Sequence, residues 1–332
     1  MINYTQMYIF NGKMIRVFLR EMLYNWFLEK SKMYIYLYLM YTFSKAFYEL
    51  KDRLLTLYEE REAIAIAHLV LQNVTGLDKI QRLVQKDKIF SDSQQLLFGN
   101  FLSGLLLGKP LQYLIGSAYF LDREFIVDEN VLIPRPETEE LVHWILDDFK
   151  ILKENKEYTD SFFSILDIGT GSGCIPVSIK LQCPEVELYA CDISNGALTV
   201  ARKNAAKLSA NVHFFEMDIL NPEQNSTSNQ YDIIVSNPPY IPFNEKKNLD
   251  KNVRDYEPSI ALFVPESDPL KFYKAIACFG RKNLKSNGRI YCELEYRRAE
   301  ECKKLFEGLG YKKVEIRKDM HGNWRMIRAD FC

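Results

Sequence analysis

Asn237-Pro238-Pro239-Tyr240 closes an apolar run, Tyr231-Asp-Ile-Ile-Val-Ser236, with a rigid polar tip suited to holding a planar NH2 group. An amide or exocyclic amine nitrogen is a poor nucleophile because its lone pair is delocalised. A site that alkylates it must accept both N–H protons and direct the lone pair out of the plane. The Asn237 side-chain oxygen can take one proton and the Pro238 carbonyl the other, since proline keeps its acceptor while lacking a donor. Consecutive prolines fix φ, so the acceptors are held in place. Tyr240 offers a flat face for the acceptor plane. Pro238-Pro239 alone would read as a plain turn after a buried strand. With Asn before and Tyr after, at the carboxyl end of a strand where open α/β sheets place ligands, the tetrad points to methyl transfer onto an amino group.

That chemistry needs a methyl donor, and a candidate pocket lies upstream. Ser164-Ile-Leu-Asp-Ile-Gly-Thr-Gly-Ser-Gly173 runs from an apolar strand into a glycine-rich turn that opens a helix, with Gly169, Thr170, Gly171, Ser172 and Gly173 forming the turn. A glycine turn alone is a weak signal, and a dinucleotide site is its rival. The dinucleotide fingerprint places its third glycine one position later, where this chain has Cys174. A second strand, Val186 to Asp192, ends in an acid placed to accept from ribose hydroxyls. A third, Val212 to Ile219, ends in Asp218, which can accept from an adenine amino group. Either acid alone reads more readily as a strand-end cap or helix-start residue. Three strand ends in order, followed by the Asn-Pro-Pro-Tyr tetrad, describe an S-adenosylmethionine pocket.

Over roughly Phe43 to the C-terminus the chain resembles the HemK/PrmC family, which methylates the glutamine of the Gly-Gly-Gln tripeptide in class I peptide chain release factors. Gly108-Lys-Pro-Leu-Gln-Tyr-Leu-Ile-Gly116, Val131-Leu-Ile-Pro-Arg-Pro-Glu-Thr-Glu139, Val253-Arg-Asp-Tyr-Glu-Pro258 and Lys318-Asp-Met-His-Gly-Asn-Trp-Arg325 carry the resemblance beyond the generic pocket. It implies a class I S-adenosylmethionine-dependent methyltransferase, an α/β fold with a Rossmann-like seven-stranded sheet, a small N-terminal helical bundle and a β-hairpin linker. Asn237, Pro238 and Tyr240 are then catalytic, with Pro239 completing the substrate-binding tetrad. Gly169 to Gly173, Asp192, Asp218, Ile219 and Asn237 bind the cofactor. Ile219 stands where some relatives carry an aromatic residue near the adenine, and Pro176 where many carry a small helix former. Adenine N6 methylation of DNA uses the same tetrad but calls for a basic, target-reading domain. A non-enzymatic nucleotide-binding scaffold leaves the tetrad unexplained.

These residues need elements to position them. Phe43, Phe47, Leu50, Leu54, Leu57 and Tyr58 fall on one helical face, with further helical stretches over Glu62 to Asn73 and Ile80 to Val84. Ser91 and Gln94 have the form of a capping box before a helix over Leu96 to Leu107, which Gly108 and Pro110 stop. Alternating apolar residues between Ala118 and Ile133, around Leu121-Asp-Arg-Glu124, suggest a hairpin. Arg135, Glu137 and Glu139 read either as solvated helix-start charges or as contacts to cofactor or substrate. A helix follows through Leu141, Val142, Ile145, Leu146 and Phe149, then a polar linker from Lys150 to Ser161. Pro176, in a first helical turn, forfeits no intrahelical bond. Strands alternating with helices imply a mostly parallel sheet. The expected domains are a helical docking domain over 41–110, a hairpin and linker region over 111–160, and a catalytic domain over 161–332.

Composition narrows the partners. Lysine plus arginine number 43 against 44 acids, so no basic field advertises a nucleic-acid substrate. The seven cysteines form no CxxC pair and the four histidines stand apart, which indicates free thiols and no metal site. Residues 1–40 do not fit the family. Their longest uncharged apolar run, Met33 to Phe43, is short of the roughly 18 to 20 residues a membrane span needs, and it lacks a signal-peptide pattern. A misassigned start, with initiation at Met33 or Met40, is the favoured reading over an added helix or a membrane-surface segment. A cytoplasmic enzyme is expected.

Overall fold

The computed structural model describes residues 41–154, 163–222 and 230–331. The expectation for residues 1–40 therefore lies outside the described residues. The chain divides into two compact units after Leu107.

The first unit is helical. Helix α1, Phe43–Leu54, is opened by Thr42, whose hydroxyl accepts the Lys45 N–H at 3.2 Å, and it buries Phe43, Ala46, Leu50 and Leu54 along one face. The sequence pattern extended this face to Leu57 and Tyr58, but the helix stops at Leu54 and both lie beyond it, Leu57 half exposed. Helix α2, Glu60–Thr75, buries Ala63, Ile66, Ala67, Val70, Leu71 and Val74. It is ended by Gly76 at φ +69°. Helix α3, Lys79–Val84, begins with a capping box between Asp78 and Gln81. Helix α4, Asp92–Leu107, begins with another: Gln94 N–H donates to the Ser91 hydroxyl at 3.3 Å, and the Gln94 side chain accepts from the Ser91 N–H at 3.0 Å.

The second unit opens with the short helix α5, Leu111–Ile115, and a hairpin of β1, Ser117–Phe120, and β2, Arg123–Ile126. Leu121 and Asp122 occupy its two-residue turn with φ +47° and +59°, the left-handed geometry that matches strand twist. A carboxylate outside the hairpin holds the Leu121 N–H, Glu139 Oε1 accepting at 2.9 Å. The strands are shorter than the alternation through Ile133 suggests. Val127, Val131 and Ile133 are buried by packing with Tyr113, Ala118, Ala197 and Val200, without a strand partner. Helix α6, Pro136–Glu154, runs into the segment expected to be linker.

There follow β3 Ser164–Ile168, α7 Cys174–Gln182, β4 Glu187–Asp192, α8 Asn195–Lys207, β5 His213–Glu216 and β6 Tyr231–Ser236. Next come β7 Ile241–Pro242, α9 Lys251–Tyr256, α10 Ser259–Leu262, β8 Phe263–Val264, α11 Lys271–Asn283 and β9 Leu284–Glu293. The order closes with α12 Ala299–Gly308, β10 Lys312–Lys318 and β11 Trp324–Asp330. Strand β5 ends three residues before the expected Ile219, and Met217 adds one more bond to the Asp192 carbonyl at 3.1 Å before the chain turns away. Pro176 sits in the first turn of α7, which continues undisturbed to Gln182.

The main sheet has seven strands in the order β10-β11-β9-β6-β3-β4-β5, parallel throughout except for β11, which runs antiparallel to both neighbours. Its central strands are buried on both faces, as a helix-covered parallel sheet requires. Ile165, Ile233 and Val235 pack with α6 and α7. Leu166, Ile168 and Ile234 pack with α11 and α12. This is the architecture of a class I methyltransferase, with the carboxyl ends of β3, β4 and β6 along one edge.

Candidate active site

Along that edge the glycine turn is fixed by the neighbouring strand. The N–H groups of Gly169 and Thr170 both donate to the Cys191 carbonyl, at 2.9 and 3.0 Å, and the Gly171 N–H donates to Asp192 Oδ2 at 2.9 Å. Two glycines have distinct reasons to be glycine. Gly171, at φ +54°, faces open space, so the backbone itself is the wall of the site. Gly173, at φ +77°, packs on α8, where an added Cβ would lie 3.1 Å from Ala201 Cβ. Behind the turn, the buried Asn204 of α8 donates to the carbonyls of Ser172 and Ile126, each at 2.9 Å, and accepts the Ile126 N–H at 2.6 Å. The hairpin and the glycine turn are thereby held by one side chain.

A cavity of about 340 Å³ opens over this edge. Gly169, Thr170, Gly171 and Ser172 line it, as do Asp192, Asp218 and Ile219, and so do Asn237, Pro238 and Pro239. Gly173 and Tyr240 are not among its lining residues. One space thus joins the glycine turn, two strand-end acids and the Asn-Pro-Pro tip.

Asp192 Oδ2 holds the Gly171 N–H and Oδ1 holds the Ser194 N–H at 2.9 Å, which leaves each oxygen lone-pair capacity toward the cavity. Burial raises its pKa, opposed by those N–H donors. Asp218 is engaged locally: it accepts from the Leu220 N–H at 2.9 Å and the Asn221 amide at 2.8 Å, the turn-capping arrangement, while still bordering the cavity. Ile219 is almost fully buried and covers part of the wall.

Asp167, which the sequence pattern did not single out, is fully buried beneath the turn, with neither oxygen in a well-formed hydrogen bond although the Thr170 hydroxyl is near. Burial pushes its carboxyl up to about 7, the Thr170 hydroxyl opposing and the Asp192 charge adding. Asp167 does not itself line the cavity, but Ile168 and Gly169, which follow it, do, and a positive charge bound there would favour its ionised form. The site residues therefore fit a sulfonium cofactor with ribose hydroxyls. Among the described residues no group of His, Cys, Asp and Glu is placed to hold a metal ion.

Ser236 ends β6 with its hydroxyl on the Ile168 carbonyl at 2.7 Å, fixing where the next residue begins. The Asn237 amide nitrogen then donates to Thr138 Oγ1 at 3.1 Å. Thr138 donates to Glu293 Oε2 at 2.6 Å, and the Tyr240 hydroxyl donates to Glu293 Oε1 at 3.1 Å. Thr138 and Glu293, both nearly without exposure, escaped the sequence reading. Of the charged neighbours of Thr138, Arg135 borders the cavity while also holding the fold together. Arg135 pairs with the buried Glu257 at 2.6 Å, joining the start of α6 to the end of α9, and Glu139 holds the hairpin turn.

Comparison with known proteins agrees with this architecture. The family described as Methyltransferase small domain matches residues 150–255, and PrmC N-terminal domain matches residues 45–116. The release factor glutamine methyltransferase of Flavobacterium psychrophilum is 39% identical over 279 residues, 84% of this chain and 95% of that protein. Its Bacteroides thetaiotaomicron counterpart is 38% identical over 85% of this chain and 97% of that protein. A solved protein-(glutamine-N5) methyltransferase (release factor-specific) from Alicyclobacillus acidocaldarius is 29% identical, covering 62% of this chain and 99% of that one at a TM-score of 0.36. With such identity across most of both sequences, the chain belongs to the release factor glutamine methyltransferase family.

Proposed function

We infer that this chain is an S-adenosylmethionine-dependent protein-(glutamine-N5) methyltransferase. It transfers a methyl group to the side-chain amide of the glutamine in the Gly-Gly-Gln motif of class I peptide chain release factors. The observation that carries this reading is the single cavity bordered both by the glycine turn with Asp192 and by the Asn237-Pro238-Pro239 tip.

S-adenosylmethionine supplies an electrophilic methyl on a cationic sulfur. Gly169 to Ser172 cradle the cofactor, Asp192 receives its ribose hydroxyls, Asp218 and Ile219 border the adenine, and Asp167 lies beneath as a counter-charge. Asn237 Oδ1 and the Pro238 carbonyl accept the two N–H protons of the glutamine amide. Held this way, the amide directs its lone pair at the methyl, so orientation supplies most of the rate. The nitrogen would gain the methyl carbon as the carbon–sulfur bond breaks, its electron pair remaining on sulfur as a neutral thioether, and the nitrogen would lose a proton to water, which needs no strong base. Tyr240 flanks the acceptor while its hydroxyl stays on Glu293. We assign the docking of the release factor to residues 41–110, the hairpin and linker role to 111–160 and catalysis to 161–332. The cytoplasm, where translation terminates, is the expected compartment.

The test is mass spectrometry of a release factor incubated with the protein and donor. One added methyl on the tripeptide glutamine is expected, with none on a factor whose glutamine is replaced and none on duplex DNA. Asn237→Ala should lower turnover by about two orders of magnitude, the scale of losing a transition-state hydrogen-bond partner. Efficient methylation of adenine in DNA would overturn the assignment.

A further inference from the structure

Asn237 can serve as an acceptor only if its amide is turned the right way, and the two ends of an amide have nearly the same shape. Something must set that choice. Shape cannot, but proton order can.

Glu293 is buried at the end of β9 and receives two hydroxyls, Thr138 on Oε2 at 2.6 Å and Tyr240 on Oε1 at 3.1 Å. Burial raises the Glu293 carboxyl, opposed by the Thr138 and Tyr240 hydroxyls and by Arg325, and in its ionised form it only accepts, so the single proton of the Thr138 hydroxyl is committed to it. Thr138 Oγ1 then has only lone pairs to offer Asn237. Lone pairs select the amide NH2, which lies 3.1 Å away, and leave Oδ1 for the cavity that Asn237 lines. A reversed amide would set oxygen against oxygen at Thr138 and present NH2 to the NH2 of the substrate, failing at both ends.

We propose that Thr138 and Glu293 are positioning residues that fix the flip of the Asn237 amide, so that its oxygen meets the acceptor nitrogen. This rests on the methyl-transfer reading above and adds to it the reason the tip has one working orientation. Thr138 comes from the first turn of α6, Asn237 from the end of β6 and Glu293 from the end of β9. The relay therefore draws three elements of the second unit onto one amide. Tyr240 contributes by filling the remaining carboxylate oxygen, which keeps Glu293 an acceptor on both sides.

Substitution separates this role from packing. Thr138→Val keeps the shape and removes the hydroxyl, so the amide loses its selector. Turnover should fall about tenfold or more, while donor affinity stays at the wild-type level. Thr138→Ser restores the hydroxyl and should keep turnover within about threefold of wild type. Glu293→Gln is decisive in a different way, because its amide can turn either end toward Thr138. When its NH2 faces Thr138, the hydroxyl proton swings to Asn237 and selects the wrong end, so turnover should fall several-fold although Thr138 is intact.

All four proteins are compared by kcat with a release factor and by calorimetric titration with S-adenosylmethionine. Wild-type kcat in Thr138→Val, equal damage in Thr138→Ser and Thr138→Val, or a loss confined to donor affinity would each overturn the relay. Should Thr138→Val not fold, Thr138→Ala, which also lacks the hydroxyl, is measured in its place, and wild-type turnover in it overturns the relay. These outcomes leave wild-type methylation untouched. A wild-type protein that fails to methylate removes the methyl-transfer reading and the relay with it.

Discussion

The Ser236 hydroxyl donates to the Ile168 carbonyl at 2.7 Å, tying the last residue of β6 to the last residue of β3. One of these strand ends leads into the Asn-Pro-Pro-Tyr tetrad and the other into the glycine turn. The distance between acceptor tip and donor pocket is thus set by a side chain as well as by the ladder of the parallel pair.

Ser236→Ala should therefore cost about 1 kcal/mol of stability, the ordinary net value of a buried hydrogen bond. It should also lower turnover more than it lowers donor affinity, because it loosens the register between two tips without touching either. Urea unfolding with steady-state kinetics measures both. Unchanged kinetics would show that the strand pairing alone sets the spacing.

Asp192→Ala should weaken S-adenosylmethionine binding by about 1 to 3 kcal/mol, since it removes an acceptor and frees the Gly171 and Ser194 N–H groups it now holds. Asp192→Asn, with one acceptor oxygen left, should lie between. Calorimetric titration of folded variants checks the order, and equal affinity in all three proteins would remove Asp192 from the pocket.

Asp167 gives a pH dependence of definite sign. Burial pushes its carboxyl from the ordinary 3.8 to about 7, so between those values the folded chain holds a proton the unfolded chain has released. Stability of the ligand-free protein should fall as pH rises through that window. Asp192, Glu257 and Glu293 are also raised by burial and act in the same direction. Asp167→Asn should accordingly flatten the slope without abolishing it. A cationic donor favours the carboxylate, so donor affinity should climb as pH passes about 7, with proton release on binding. Melting curves across pH and titrations in buffers of different ionisation enthalpy report the two effects. A pH-independent donor affinity would exclude Asp167 as the counter-charge.

Where chemistry and period coincide in a few neighbouring residues, the sequence is informative. The apolar run Tyr231 to Ser236 forms a strand with the bounds its pattern suggests, and the glycine turn is readable because each residue answers to the one beside it. The capping box of Ser91 and Gln94 is equally local. Thr138 and Glu293 were not legible, because their meeting joins positions 155 apart and Thr138 reaches Asn237 across 99. Around Thr138 the charges of Arg135, Glu137 and Glu139 draw attention away from its hydroxyl, although Arg135 does border the cavity. A signal existed at Glu293, an acid ending the apolar run Ile290-Tyr-Cys292 and followed by Leu294, since a carboxylate placed in such a run needs dedicated donors. The hairpin turn was placed correctly but its strands were overextended, because alternation records burial, and Val131 and Ile133 are buried without pairing.

The order of synthesis gives the Thr138, Asn237 and Glu293 arrangement a temporal meaning. Thr138 is made first, Asn237 later and Glu293 last, and β9, which carries Glu293, must then pair with β6 beside it. A chain still lacking β9 already contains the residues of the glycine turn, Asp192 and the tetrad, yet has no carboxylate behind the threonine to orient its asparagine. On the relay proposed above, a competent acceptor tip therefore waits on the pairing of β9 with β6.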